Sequence, residues 1–210
     1  MQIQTIVGPQ TQATTGSTIP NLRGGPSGEA IMQELHGRYY ETAVRKSMFS
    51  GATTTGVTTS AGFATTYTGF CLTNPIGSSV NLALNKIVYA VVVAQTSALI
   101  LGLMTGYHAA TPVTQTTPLV PLNNFVGSPT GVGLIASAVT LPIAPTRVIL
   151  LDTLLTGAIT TQVTSNGKAV DEEGGIIVPP GGFVAFYTSG ASVASSLAFG
   201  MQWEEVSTVI

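Results

Sequence analysis

Hydrophobic and polar positions follow two rhythms along this chain, and the change falls near residue 47. In residues 28–46, GEAIMQELHGRYYETAVRK, apolar side chains recur four apart: Ile31 with Leu35, and Tyr39 with Ala43. That is helical spacing. Ser27 stands where a helix cap is needed and Glu29 suits the first turn. Glu34–Arg38 and Glu41–Arg45 are i,i+4 pairs in the favourable order. The pattern predicts one short helical segment over 29–46, weakened at Gly37.

Beyond Ser47 the period shortens to two, and Thr, Val, Ile and aromatic residues dominate between Gly, Pro, Asn and Ser clusters. ATTYTGFCLTN (64–74) reads as a strand ended by Asn74-Pro75. In residues 80–95, Val80, Leu82 and Leu84 alternate with Asn81, Ala83 and Asn85. The run then becomes continuously apolar, as in a strand buried on both faces. ALILGLMTGY (98–107) follows a short turn, and a hairpin is the simplest link between the two. Residues 111–131 hold four prolines and read as a long loop with one edge strand. Strand patterns resume at 133–141, 146–155 and 158–164. SNGKAVDEEGG reads as a turn carrying the acidic run Asp171-Glu172-Glu173, and two strand-like stretches close the chain.

About eight strands without alternating helices predict a mainly β chain, an antiparallel β-sandwich that is jelly-roll-like. Residues 1–28 read as an extended N-terminal arm, because Gly8, Pro9, Gly16, Pro20, Gly24, Gly25 and Pro26 leave no apolar period. The expected organisation is therefore an arm (1–28), a helical segment (29–46) and a β-sandwich domain (47–210).

Composition sharpens this picture. Only 8% of residues are charged, against roughly 25% in an ordinary domain. Charges cluster in 29–46, and between Ser47 and Thr146 Lys86 stands alone. A surface so poor in charge tends to associate, so burial in an assembly is expected. The net charge of −2 offers no basic field for nucleic acid or an anionic membrane. No apolar run approaches the roughly 20 residues of a membrane-spanning helix, and no signal peptide is read at the N-terminus.

Candidate chemistry is sparse. GGIIVPPGGFVAFYTSG (174–190) looks like a ligand-gripping glycine loop, but strand-like residues lie on both sides of it. Pro179 and Pro180 lack the N–H groups that a phosphate cradle needs. It reads as a turn between strands, with Gly181 or Gly182 supplying positive φ. His36 and His108 have no partners at metal-ligand spacing, and the lone Cys71 reads as a small buried hydrophobe. Asp171-Glu172-Glu173 reads as a solvated turn, and Glu204-Glu205 as charge that blunts a terminal edge strand. No catalytic residue, cofactor or metal is expected. Trp203 reads as a core anchor or an interface anchor. Tyr39, Tyr40 and Phe49 are the other candidate interface residues, with core packing as the alternative.

Two stretches carry a resemblance. ELHGRYYETAVRKSMFSGAT leads into ATTYTGFCLTNPIGSSVNLAL, and GGIIVPPGGFVAFYTSGASVASSLAFGMQWEEV joins Pro-Pro-Gly to a terminal Trp-Glu-Glu. Over residues 34–206 the chain resembles small structural proteins of tailed bacteriophages. The resemblance implies a virion component made in the host cytoplasm. It further implies a capsid cement or decoration protein, commonly trimeric, that binds a major capsid protein at the capsid surface. A tail or fibre-head protein binding a host glycan is the alternative. The resemblance carries over no catalytic residues.

Overall fold

The computed structural model describes residues 37–95, 98–154 and 167–208. The chain divides into two compact units, Met1–Tyr40 and Glu41–Ile210. The arm (1–28), most of the predicted helix, His36 and the strand pattern at 158–164 lie outside the described residues. The helix that is described, α1 (Tyr40–Val44), is a single turn. Lys46 then takes φ 62° and ends it, with the Ser47 N–H and hydroxyl both donating to the Thr42 carbonyl. The Glu41–Arg45 pair forms at 3.7 Å, but both side chains are largely in water, where such a pair contributes little.

Eleven strands follow among the described residues: β1 (Met48–Ala52), β2 (Thr66–Thr73), β3 (Val80–Val93), β4 (Leu99–Tyr107), β5 (Thr114–Leu119), β6 (Leu122–Asn123), β7 (Leu134–Thr140), β8 (Arg147–Leu154), β9 (Gly167–Val178), β10 (Gly182–Thr188) and β11 (Ser196–Ser207). They form two antiparallel sheets, β6-β1-β11-β3-β9 and β5-β7-β2-β10-β4-β8. The connectivity is that of one long folded ribbon. β1 pairs with β11, β2 with β10, β3 with β9 and β4 with β8, and successive pairs alternate between the sheets. Wrapping adds the pairings β3·β11 and β4·β10. The strands β5 to β7 lie between β4 and β8 in the chain and extend both sheets at their β1 and β2 sides.

This connectivity corrects the hairpin expected between residues 80–95 and 98–107. β3 and β4 belong to different sheets. The proline-rich stretch contributes β5, an edge strand with two register breaks around Pro118. The acidic run lies within β9 and is not a free turn. There Glu173 (φ 52°) and Gly174 (φ 80°) bulge out between the Lys86–Asp171 and Leu84–Ile176 pairs. β11 is an interior strand between β1 and β3, so Glu204 and Glu205 do not guard an edge.

The core lies between the sheets. Phe186 stacks on Phe199 at 4.2 Å between ring centroids, Phe70 meets Phe186 edge-on at 6.2 Å, and Phe49 stacks on the fully buried Trp203 at 6.2 Å. A second apolar layer covers the other face of the six-stranded sheet: Tyr67, Cys71, Met104, Val139, Leu141 and Phe183. From Gly69 to Thr73 β2 is thus buried on both sides. Within it the register breaks between Thr68 and Cys71, and the Tyr67 hydroxyl fills the gap. That hydroxyl donates to the Phe186 carbonyl (2.7 Å) and accepts from the Phe70 N–H (3.1 Å). Gly69, at φ 141°, leaves the room, since a Cβ there would overlap the Tyr67 ring.

At one end of the sandwich Asn74, 1% exposed, ties the turns together. Its amide donates to the carbonyls of Val80 (2.8 Å) and Val178 (2.9 Å), and its Oδ1 accepts from the Ser78 hydroxyl (2.6 Å). Its backbone bonds reciprocally with Gly181 and Gly182. The Pro179–Gly182 segment is a type II turn closed by Gly182 N–H to Pro179 C=O at 2.8 Å, with Gly181 at φ 84°. It carries the chain from β9 in one sheet to β10 in the other.

Asn74→Ala orphans the buried Val178 carbonyl, while the Val80 carbonyl keeps the Ser78 hydroxyl at 3.0 Å. The expected cost is about 1–3 kcal/mol, read as a lower denaturant midpoint at unchanged slope. Asn74→Asp keeps the acceptor but loses the donors, so it is expected to fall near the alanine variant. Full stability in Asn74→Asp would show that the amide donors are not what matters. Tyr67→Phe should cost about 1–3 kcal/mol by the same logic.

Candidate functional site: an outer-face groove and a polar clamp

A concavity of about 890 Å³ lies on the outer face of the five-stranded sheet. Strand register builds its floor. Ala52 pairs with Gly200, which pairs with Val88, and Ala198 pairs with Ala90. Small side chains in consecutive rows keep the floor low. At Gly200 an added Cβ would sit 3.3 Å from the Ala52 Cβ. The segment from the end of β5 into β6 forms one wall, with Val120 70% and Leu122 62% exposed. The next row, Ser50–Gln202–Lys86–Asp171, is polar. Its single cation, Lys86, is 3.2 Å from Asp171.

The groove corrects the reading of 87–94 as a strand buried on both faces. Ile87, Tyr89 and Val91 point into the core, whereas Val88 and Val92 are 44% and 47% exposed on the outer side. The run is apolar because one face meets the core and the other faces the groove side.

A second constellation ties the two sheets together through their edge strands. On β8, the carboxylate Oδ2 of Asp152 accepts from the Tyr89 hydroxyl of β3 (2.8 Å) and from Lys168 Nζ of β9 (2.6 Å). Its Oδ1 accepts from the Thr153 N–H (2.8 Å). The Lys168 hydrogen bond, helped by Tyr89 and Thr153 and opposed by burial, holds the Asp152 carboxyl below its ordinary range. Burial, and then the adjacent carboxylate, push the Tyr89 phenol upward. The arrangement is a clamp between β8 of one sheet and β3 and β9 of the other.

The structure scatters the other candidates. Phe49 and Trp203 pack in the core, 5% and 0% exposed, so their surface is used within this chain. In the first unit Tyr39 is half-buried with the Arg38 guanidinium 5.9 Å from its ring centroid, and Tyr40 is 47% exposed. His108 Nδ1 accepts from the N–H groups of Ala110 (3.3 Å) and Thr111 (2.8 Å), which shapes the loop after β4. Cys71 is fully buried, and burial pushes its thiol up. Glu205 Oε1 accepts from the N–H groups of Val132 (2.7 Å) and Gly133 (2.8 Å), and burial raises the Glu204 carboxyl against the pull of Arg45. Among the described residues no three His, Cys, Asp or Glu side chains are grouped as metal ligands would be, and no helix is long and apolar enough to cross a membrane.

Asp152 sets a sign for the acid response. Its folded-state pKa is depressed, so its contribution is complete above the unfolded value near 3.9 and is lost as pH falls through the folded value. Asp152→Asn is expected to lower stability at pH 7 and to flatten the acid limb below about pH 4. Chemical denaturation at pH 7 and pH 3 checks this. An unchanged difference between the two pH values in the variant would assign the acid response to other carboxylates.

Comparison of the chain with protein-family models, with curated proteins and with solved structures returns no match.

Proposed function

We propose that this chain is a virion structural protein, a capsid cement or decoration protein that binds and stabilises a phage head lattice. The observation that carries the reading is the groove. An open apolar concavity with little charge on an outer sheet face is suited to burial against another chain. Its floor is aliphatic, and the polar groups Ser50, Lys86 and Gln202 lie in the adjoining row. The scarcity of charge over the β-domain supports the same reading.

We further infer a jelly-roll topology. The wrapped ribbon, with successive strand pairs alternating between two sheets, supports it. Such sandwiches are frequent in capsid and lectin domains, so the topology alone does not decide the function. The resemblance of residues 34–206 to small phage structural proteins points to the virion. The expected partners are a major capsid protein and further copies of this chain, as a homotrimer.

A tail or fibre-head protein binding a host glycan is the second reading. Exposed aromatics favour it, namely Tyr107 at the end of β4 (55%) and the loop residues Phe63 and Phe125 (44% each). The aromatic that borders the groove, Phe199, is itself buried.

Co-sedimentation with purified heads tests the choice. The cement reading predicts saturation at hundreds of copies per head and greater resistance of the head to chemical or thermal rupture. Saturation at a few tens of copies or fewer, with binding on a glycan array, would replace it with the tail reading. No association with heads at all would remove it.

A further inference from the structure

Strand register lays the outer face of the five-stranded sheet out in rows. One row runs Ala52–Gly200–Val88–Ala169 across β1, β11, β3 and β9, and the next runs Ser50–Gln202–Lys86–Asp171. In the first row a gap at Gly200 stands beside the projecting Val88, which is 44% exposed. In the second row the cation and the anion occupy neighbouring strands, 3.2 Å apart. A charged ligand lying along the apolar row would lose hydration without meeting an opposite charge. A surface that carries the same two rows in reverse order would fit this one position by position.

We propose that this groove receives the same face of a second copy of the chain, about a two-fold axis that runs along the strands between β11 and β3. Such an axis lays each row on its own reversed image. Shape is the first argument. Val88 then sits over Gly200 of the second copy, so each projecting side chain meets a position without one. Charge is the second. Lys86 meets Gln202 of the second copy, whose amide oxygen can accept from the ammonium, and Asp171 meets Ser50. Neither charge faces its like, as a self-complementary contact requires. The wall is the third. It stands at β6, two strands beyond β11, and the reversal places it one strand spacing outside β9 of the second copy. Among the described residues β9 is the edge of its sheet, so the wall closes along that edge without striking a further strand.

Sheets pack face to face with their strands within about 30° of each other. The floor of Ala52, Ala90, Ala198 and Gly200 lets two backbones approach at least as closely as the roughly 10 Å usual for stacked sheets. The contact is two-fold, so the expected homotrimer would use a different surface, and the two contacts together would give a six-chain assembly. A capsid partner would likewise meet another part of the surface. The inference stands on the groove and the strand register and needs neither the head-lattice reading nor the trimer.

Mixed full-length variants test it. Within one chain Ser50 and Asp171 lie three strand spacings apart, about 14 Å. Ser50→Cys in one copy and Asp171→Cys in another, mixed with a bis-maleimide shorter than that span, are expected to give a covalent dimer that neither variant gives alone. Cys71 is fully buried, so the unaltered chain serves as the blank. Val88→Asp and Ala90→Asp each set a carboxylate on the apolar floor. Each is expected to weaken self-association by about tenfold or more, read as mass by light scattering over a dilution series. The thermal midpoint verifies that the variants are folded, and two positions guard against one failing to fold. Three results would overturn the proposal. The first is an unaltered chain whose mass is that of one or three chains at every concentration. The second is a folded carboxylate variant that keeps the unaltered mass throughout the dilution. The third is a cross-link that is absent from the mixture or forms equally in a single variant. Failure of head binding in the earlier experiment leaves these readouts unaffected, so the two ideas fail separately.

Discussion

A ribbon of paired strands wrapped into two sheets must change sheet between successive pairs, and each change leaves backbone groups that no ladder satisfies. Asn74 meets this constraint at one end of the sandwich. Its amide spans from the start of β3 to the end of β9, and its backbone bonds hold the turn that launches β10. Two sheet-to-sheet passages, β2 to β3 and β9 to β10, therefore share one buried side chain. With that end fixed, the pairings β2·β10 and β3·β9 start in register and the aromatic core can close between them. The Pro-Pro-Gly-Gly stretch that looks like a ligand grip belongs to this corner. Its prolines preset φ, and Gly181 supplies the left-handed φ that the turn requires.

The outer faces of the two sheets are treated differently. The six-stranded sheet carries its own outer layer around Tyr67 and Phe183. The five-stranded sheet leaves Val88, Val92 and a floor of alanines and glycine open beneath the β5–β6 wall. Among the described residues, an apolar layer covers the outer face of the six-stranded sheet, whereas Val88 and Val92 on the five-stranded sheet are exposed. An exposed apolar face in a chain with so few charges favours association. The Tyr89–Asp152–Lys168 clamp acts elsewhere, holding β8 of one sheet to β3 and β9 of the other.

Legibility differed from element to element. Strands at 66–73, 80–93, 99–107, 134–140 and 147–154 stand close to where alternation and turn residues placed them, because side-chain period and turn chemistry are local properties. The turn at 179–182 was readable for the same reason. The helix was legible as a type and less so in extent, since Lys46 adopts a left-handed φ that no propensity announces. The groove left a signal, the second apolar register Val88, Ala90 and Val92, but that signal is the same one a strand covered on both sides would leave. The clamp left none, because Tyr89, Asp152 and Lys168 converge from three strands.

By itself, then, the sequence determined that the chain is a β-sandwich poor in charge, where most of its strands run, and that its glycine-rich loop is a turn. Only the tertiary structure decided which strands are partners, and with that the sheet change between β3 and β4, the interior place of β11 and the outward face of β3. The physical reason is that period-two alternation records whether a side chain is covered and not what covers it. Pairing is settled by long-range packing between the sheets and by the corner bonds around Asn74.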